Sequence, residues 1–285
     1  MRSIHKIIDT VYVKMGPMTI GQPLPAQGLN QISPFLLLHH AGPLIAKPGK
    51  NPMHIGAHPH RGFEPVTFVF QGAVEHRDSV GNHSIIQSGG VQWTTAGKGI
   101  VHSESAAPEF VAQGGALEII QLWINLPKKL KLTPPGYQGL QRADIPFVEK
   151  DNLRINVISG EFNDIKGPIS SLTDITAYTL EFKKGATTEF EIPTEQNLLI
   201  YQLNGATNVN WKEVTDKQLI YFDQDASEIK IEALTDALLL LVAGAPIDEP
   251  MTQYGPFVMN TQQEILQAME DYQAGRMGTL VDHAL

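Results

Sequence analysis

Four side chains constrain the fold of this chain more than any others: His58, His60, His102 and Glu104, set as two pairs at i, i+2 spacing. In an extended strand that spacing turns both members of a pair to one face. Each strand then offers two ligands. A spacer of about 40 residues, made of short alternating runs and glycine-rich turns, is what a small antiparallel barrel needs to lay two such strands side by side. The expectation is a β domain with a metal site between two of its strands.

The rest of the chain supports a β architecture. Apolar and β-branched runs at 66–70, 73–78, 84–87, 91–94, 100–103 and 116–126 are separated by Gln71-Gly72, Gly81-Asn82, Ser88-Gly89-Gly90 and Ala96-Gly97-Lys98-Gly99, which reads as a meander. Ahead of it, 4–15 suits a strand over a sheet edge and 34–38 a short buried strand. Residues 41–57, with glycine or proline at six positions, read as a long irregular loop placed to act as a lid. Residues 127–146 have the breaker density of an interdomain connection.

Strand-like runs then recur at 154–158, 175–182, 198–203, 218–222, 228–233 and 237–242, so a second β domain is expected. Thr67-Phe-Val-Phe-Gln-Gly72 resembles Ile200-Tyr-Gln-Leu-Asn-Gly205, which suggests duplication. Superposing the two glycines puts Glu191 and Pro193 where His58 and His60 stand, and no histidine occurs between His102 and His283. The second domain therefore carries no imidazole site. Near the end the period changes: Thr261 with Glu264 is a capping-box pattern, and Ile265, Leu266, Met269 and Tyr272 mark one face of a helix that ends near Gly275, followed by a tail. The fold class is all-β, two tandem barrels with a short C-terminal helix. The domains are set at 1–130, with metal, and 147–285, without.

Composition removes several functions. A net charge of −9 repels a phosphate backbone, so direct nucleic-acid binding is not expected. With no cysteine there is neither a disulfide framework nor a thiolate site. The longest apolar run, 237–243, is far short of a membrane span, and no signal pattern opens the chain, so the expectation is a cytoplasmic monomer without membrane attachment.

Three imidazoles and one carboxylate suit borderline divalent metals, and on a six-coordinate ion they leave two positions open for dioxygen and a substrate oxygen. Non-haem Fe(II) is the first choice. Zinc competes, and manganese, nickel, cobalt and copper remain open. Glu64 competes with Glu104 for the carboxylate position, because H-x-H-x3-E is how many cupin barrels present ligands. Glu104 is also the catalytic candidate, since it is the one carboxylate among the four ligands and within reach of a substrate hydroxyl proton. His39, His40, His54, His76 and His83 read as polar strand-end or loop residues, Lys128, Lys129 and Lys131 as a solvated face, and Trp93 and Trp123 as core.

At these residues the chain resembles the pirin family of the cupin superfamily. The resemblance rests on H-P-H-R-G-F-E at 58–64, V-Q-W-T-T-A-G-K-G-I-V-H-S-E at 91–104, Q-L-W-I-N-L-P-K-K at 121–129 and Q-Y-G-P-F-V-M-N-T at 253–261. It implies two tandem cupin (jelly-roll) domains, and iron held in the first by His58, His60, His102 and Glu104, with Glu64 not a ligand. It also implies two functions. One is a quercetin 2,3-dioxygenase that opens a flavonol with dioxygen and releases carbon monoxide. The other is a non-catalytic, iron-bound regulatory protein that acts through protein partners. Two positions depart from the family pattern: His39-His40 stand where many members carry an acidic residue, and Pro65 stands where threonine is common.

Overall fold

The computed structural model describes residues 1–16 and 18–281. It divides into two compact units. The first, here called the site unit, comprises Val13–Ile20, Phe35–Arg142 and Ile247–Leu285; the second, the apolar unit, comprises Met1–Tyr12, Gly21–Pro34 and Ala143–Pro246.

A seven-stranded sheet, within the site unit but for part of its last two strands, runs in the order Gly136–Leu140, Val91–Thr95, Phe63–Gln71, Gly115–Asn125, Phe35–Ala46, Met18–Leu24 and Val11–Met15. A four-stranded sheet runs His54–His60, Ile100–Ala106, Ala73–Asp78 and His83–Gln87. Alternation along these strands turns one face of each sheet inward, and Val69, Leu117 and Ile119 of the first meet Val74, Ile86 and Ala106 of the second in one core. The apolar unit repeats the plan, with seven strands in the order Ile4–Asp9, Gln218–Phe222, Asn197–Asn204, Ala237–Gly244, Ile175–Phe182, Leu153–Ser159 and Phe147–Lys150, and four in the order Thr187–Glu191, Glu228–Ala233, Thr207–Val209 and Lys212–Val214. The matched phrases at 67–72 and 200–205 fall on the third strand of each seven-stranded sheet and its turn. Duplication is thus visible in the topology.

Several expectations need correction. The double sheets are open: among the described residues neither pair closes into a hydrogen-bonded barrel. The stretch 41–57 is not one long loop, because Phe35–Ala46 continues as a single strand paired along Gly115–Asn125, which leaves only 47–53 between strands. The stretch 127–146 is not only a connection, since Gly136–Leu140 pairs with Val91–Thr95 at the sheet edge. Lys131 is not solvated. Its side chain is 1% exposed, and its Nζ donates to the carbonyls of Gly62 (2.9 Å) and Val258 (3.0 Å) and to Asn125 Oδ1 (2.6 Å).

The two units also cut across the boundaries 1–130 and 147–285. The first strand, Ile4–Asp9, pairs with Gln218–Phe222 and so belongs to the apolar unit. Residues from 247 onward belong to the site unit, where Arg61 and Phe257 form a parallel bridge. Gly62 permits that approach: at φ +88° it lies so close to Val258 that an added Cβ would stand 2.0 Å from the Val258 carbonyl oxygen. The helix Gln262–Gln273 begins with the expected capping box, Thr261 Oγ1 accepting from Glu264 N (3.2 Å) and Glu264 Oε2 accepting from Thr261 N (2.9 Å). It buries Ile265 and Ala268 against Val101, Phe257, Met259 and Met277. The expected tail is therefore packed at Met277, and its last four residues, 282–285, lie outside the described residues.

Candidate metal centre

Strand pairing brings the two ligand segments together. His54–His60 runs antiparallel to Ile100–Ala106 with His102 opposite His58, and the register shifts between His102 and Glu104, which lies opposite Ile55. The Nε2 atoms of His58 and His60 stand 3.1 Å apart, and those of His102 and His58 3.0 Å apart. Among the described residues, these three histidines form a group whose ligand atoms all lie within 4.8 Å of one another. His58 Nδ1 donates to the Gly56 carbonyl (2.8 Å), so its Nε2 carries the lone pair.

The donor set fits a metal. Burial first, and the neighbouring imidazoles second, hold His60 and His102 well below the usual histidine range, so both are neutral near pH 7 with lone pairs free. Three lone pairs directed at one point repel unless a cation lies between them. Nitrogens bound to one ion at about 2.1 Å lie about 3.0–3.4 Å apart, and the two spacings from His58 Nε2 fall in that range. Phe63 and Trp123 wall the site on the His60 side, with ring centroids 5.1 and 5.3 Å from His60.

Glu104 is not part of the close group. Its carboxylate is buried and accepts from Thr67 Oγ1 (3.0 Å) and Gln121 Nε2 (2.9 Å), and from Gln92 Nε2. A carboxylate has about four acceptor sites, so one remains for a metal or a proton donor. Glu64 is also buried, accepts from Thr95 Oγ1 (2.6 Å), and likewise lies outside the histidine group.

Sequence reasoning passed over the groups that surround this centre. Thr67, Gln92 and Gln121 carry no sequence signal, since they are single polar residues on strands. His76 and Asp78 did carry one, a third i, i+2 pair in the same meander. Both are fully buried, with His76 Nε2 3.1 Å from Asp78 Oδ2. Burial pushes Asp78 up, but the hydrogen bonds from His76 and Asn82 outweigh it and hold the carboxyl below its ordinary value. Tyr137 stacks on His76 at 4.5 Å, and burial chiefly pushes its hydroxyl up to about 12, so it stays neutral. Trp123 Nε1 donates to Gln121 Oε1 (3.0 Å), which ties the wall of the site to the residue that holds Glu104.

Beyond Gln121 lies a cavity of about 20 Å³ lined by Met15, Met18, His39, Met53 and Ile119 among others. Burial pushes the His39 imidazole down to about 4. A larger cleft of about 410 Å³ involves Arg61, Lys98 and the helix Gln262–Gln273, where Asp271 pairs with Arg61 (2.7 Å) and Arg276 (2.6 Å).

Two cupin units, one of them with a three-histidine group suited to a metal, define a bicupin. The chain belongs to the pirin family: residues 18–124 match the pirin model and 177–278 the pirin C-terminal cupin domain. It is 40% identical over 266 residues to a Pseudomonas aeruginosa protein named "Putative quercetin 2,3-dioxygenase", covering 90% of this chain and 93% of that one. A tomato (Solanum lycopersicum) pirin-like protein is 36% identical, covering 91% and 86%. Among solved structures, a quercetin 2,3-dioxygenase from Acinetobacter baumannii superposes with a TM-score of 0.92 at 35% identity, over 99% of this chain and 100% of that one.

Proposed function

We propose that this protein is a metal-dependent dioxygenase of the quercetinase type, opening flavonols with dioxygen and releasing carbon monoxide, with Fe(II) as its metal. The observation that carries this reading is the convergence of three imidazoles, with His58 Nε2 3.1 Å from that of His60 and 3.0 Å from that of His102. The family relatives named for that activity support it. His58, His60 and His102 hold the ion, and Glu104 supplies the fourth ligand through its remaining acceptor site. A bound divalent metal supplies Lewis acidity and open positions for dioxygen and a substrate oxygen.

The protein's own part is proton handling and exclusion of water. Glu104, oriented by Thr67 and Gln92, takes the proton of the flavonol 3-hydroxyl on Oε2 in place of the Gln121 amide hydrogen, since the remaining acceptor site of the carboxylate is the one given to the ion. Phe63 and Trp123 shield the site. The test is oxygen uptake and carbon monoxide release with quercetin by iron-loaded protein, with bound metal measured on the same sample. Turnover per metal is expected to fall by at least about 100-fold in Glu104→Gln, the scale of a general-base contribution. Equal turnover per metal in the two proteins would remove Glu104 from the proton step.

A second reading, an iron-bound regulatory protein that acts through a protein partner, is supported by relatives that carry the pirin name without an enzyme's, such as the tomato pirin-like protein. Absence of oxygen uptake by fully loaded protein, over a panel of flavonols, would favour it.

A further inference from the structure

The strand Ala73–Asp78 contributes a pair that the proposed reaction leaves unused. In the sheet it lies beside Ile100–Ala106 in a register that puts His76 opposite Glu104 and Asp78 opposite His102. Asp78 receives four donors: Oδ1 accepts from Val80 N (3.0 Å) and Asn82 N (2.9 Å), and Oδ2 from Asn82 Nδ2 (2.7 Å) and His76 Nε2 (3.1 Å). A carboxylate surrounded in this way is ionised and only accepts. The proton between it and His76 therefore sits on His76 Nε2, and in the neutral ring Nδ1 keeps its lone pair.

That Nδ1 is buried and has no partner. The adjacent ring is His102, with centroids 5.4 Å apart. His102 directs Nε2 toward His58, so in the tautomer that binds a metal its Nδ1 carries the hydrogen, and this atom too is buried and unpartnered. One ring has an acceptor lacking a donor, and its neighbour a donor lacking an acceptor. Buried polar groups left in that state are unfavourable, and metal-bound histidines regularly donate their second nitrogen to a fixed acceptor. Tyr137 stacks on His76 with an interplanar angle of 20°, which limits how far that ring can turn away.

We infer that His76 accepts the Nδ1–H of His102 when the three histidines take up their metal, so that Asp78, His76 and His102 form one hydrogen-bonded line ending at the ion. His76 is then a positioning residue. It fixes the His102 tautomer and raises its basicity as a ligand. The inference rests on the reading of His58, His60 and His102 as a metal site.

The test compares zinc affinity, by chelator competition, in wild type, His76→Leu and His76→Asn. Asparagine keeps an acceptor oxygen near the former Nδ1, and leucine keeps bulk alone. Affinity is expected to fall about 10- to 100-fold in His76→Leu, the range for outer-shell partners, and to recover in large part in His76→Asn. Thermal melts of the metal-free proteins establish that each variant is folded. Should the leucine variant not fold, zinc-loaded wild type with 15N-labelled histidine decides, through a coupling across the hydrogen bond between His102 Nδ1 and His76 Nδ1. Wild-type affinity in a folded His76→Leu protein, no advantage of Asn over Leu, or no such coupling would each overturn the assignment. A wild-type protein that binds no zinc, iron or nickel would overturn the metal reading itself, and this inference with it.

Discussion

The two units share a sheet plan and differ in what fills it. The strands that carry His58, His60, His102 and Glu104 in the site unit occupy the same places in the four-stranded sheet as Thr187–Glu191 and Glu228–Ala233 in the apolar unit. There the inward positions are Phe190, Ile229 and Ile231, all within one hydrophobic cluster that spans the unit. In the site unit the corresponding interior holds His60, Glu64, Thr67, His76, Asp78, Gln92, His102 and Glu104, all buried. A double sheet of this kind thus tolerates either an apolar filling or a connected polar one, in which most polar atoms are partnered and the Nδ1 atoms of His76 and His102 are not. The single histidine that the first strand brings to the apolar unit, His5, is exposed and paired with Asp223.

The units are alike in a second respect. Among the described residues each has a long cation at only 1% exposure, and each of these cations ties together segments far apart in sequence. In the site unit it is Lys131. In the apolar unit it is Arg2, which donates to the carbonyls of Asp223 and Gln196 and, at 3.4 Å, of Pro193.

The comparison is broken most directly at its largest difference. His60→Ala is expected to weaken metal binding by more than the roughly 100-fold upper range for outer-shell partners, and wild type to hold about one tight metal per chain. Metal analysis after dialysis checks both, and two tight sites would end the contrast between the units. Next in size is the shared buried cation. Lys131→Met strands three acceptors and is expected to cost about 3 kcal/mol in urea unfolding, with Arg2→Met of similar size. A neutral result for either would show that the two pins are not equivalent.

A third experiment separates the pins by pH. Burial holds Lys131 down at about 8, below its ordinary value, so between about pH 8 and 10.5 the unfolded chain binds more protons than the folded one. Stability from this group therefore rises with pH across that window. By pH 9.5 the gain should be about 1–2 kcal/mol, measured as a shift in urea midpoint that Lys131→Met abolishes. The smallest expected effect is Thr261→Ala, about 1 kcal/mol from the lost cap, read as faster amide exchange in the helix Gln262–Gln273 with the apolar unit unchanged.

How far the sequence reported this arrangement depends on the range of the interaction concerned. The i, i+2 histidine pair and the Thr261–Glu264 cap are local patterns whose geometry follows from one strand or one helix turn, and both are present in the structure. The fate of Lys131 was not legible. A lysine in a breaker-rich stretch looks solvated, and two of its three acceptors, the carbonyls of Gly62 and Val258, come from 69 and 127 residues away. The strand through Ala46 was missed for a similar reason, because Gly42 and Pro43 suggest a break, while pairing to Gly115–Asn125 carries the strand past them. Glu104 shows the limit within the site: strand alternation places it beside His102, but the register shift that follows His102 and the amides of Gln92 and Gln121 decide where its carboxylate points.

The allocation of the two ends of the chain bears on how the protein must be made. The apolar unit takes its edge strand from residues 4–9 and the remainder of its large sheet from beyond 146, while the site unit needs 247 onward to supply Val258 and the helix. During synthesis the first strand thus emerges more than 200 residues before its partner Gln218–Phe222, and the metal-site sheets emerge well before the segment that caps Lys131. The apolar unit is complete once residue 246 has emerged, whereas the site unit, most of which is made first, must wait for 247 onward. A gene cut near residue 140 would yield two fragments that each lack a piece carried by the other, and the two would have to be produced together to regain either fold.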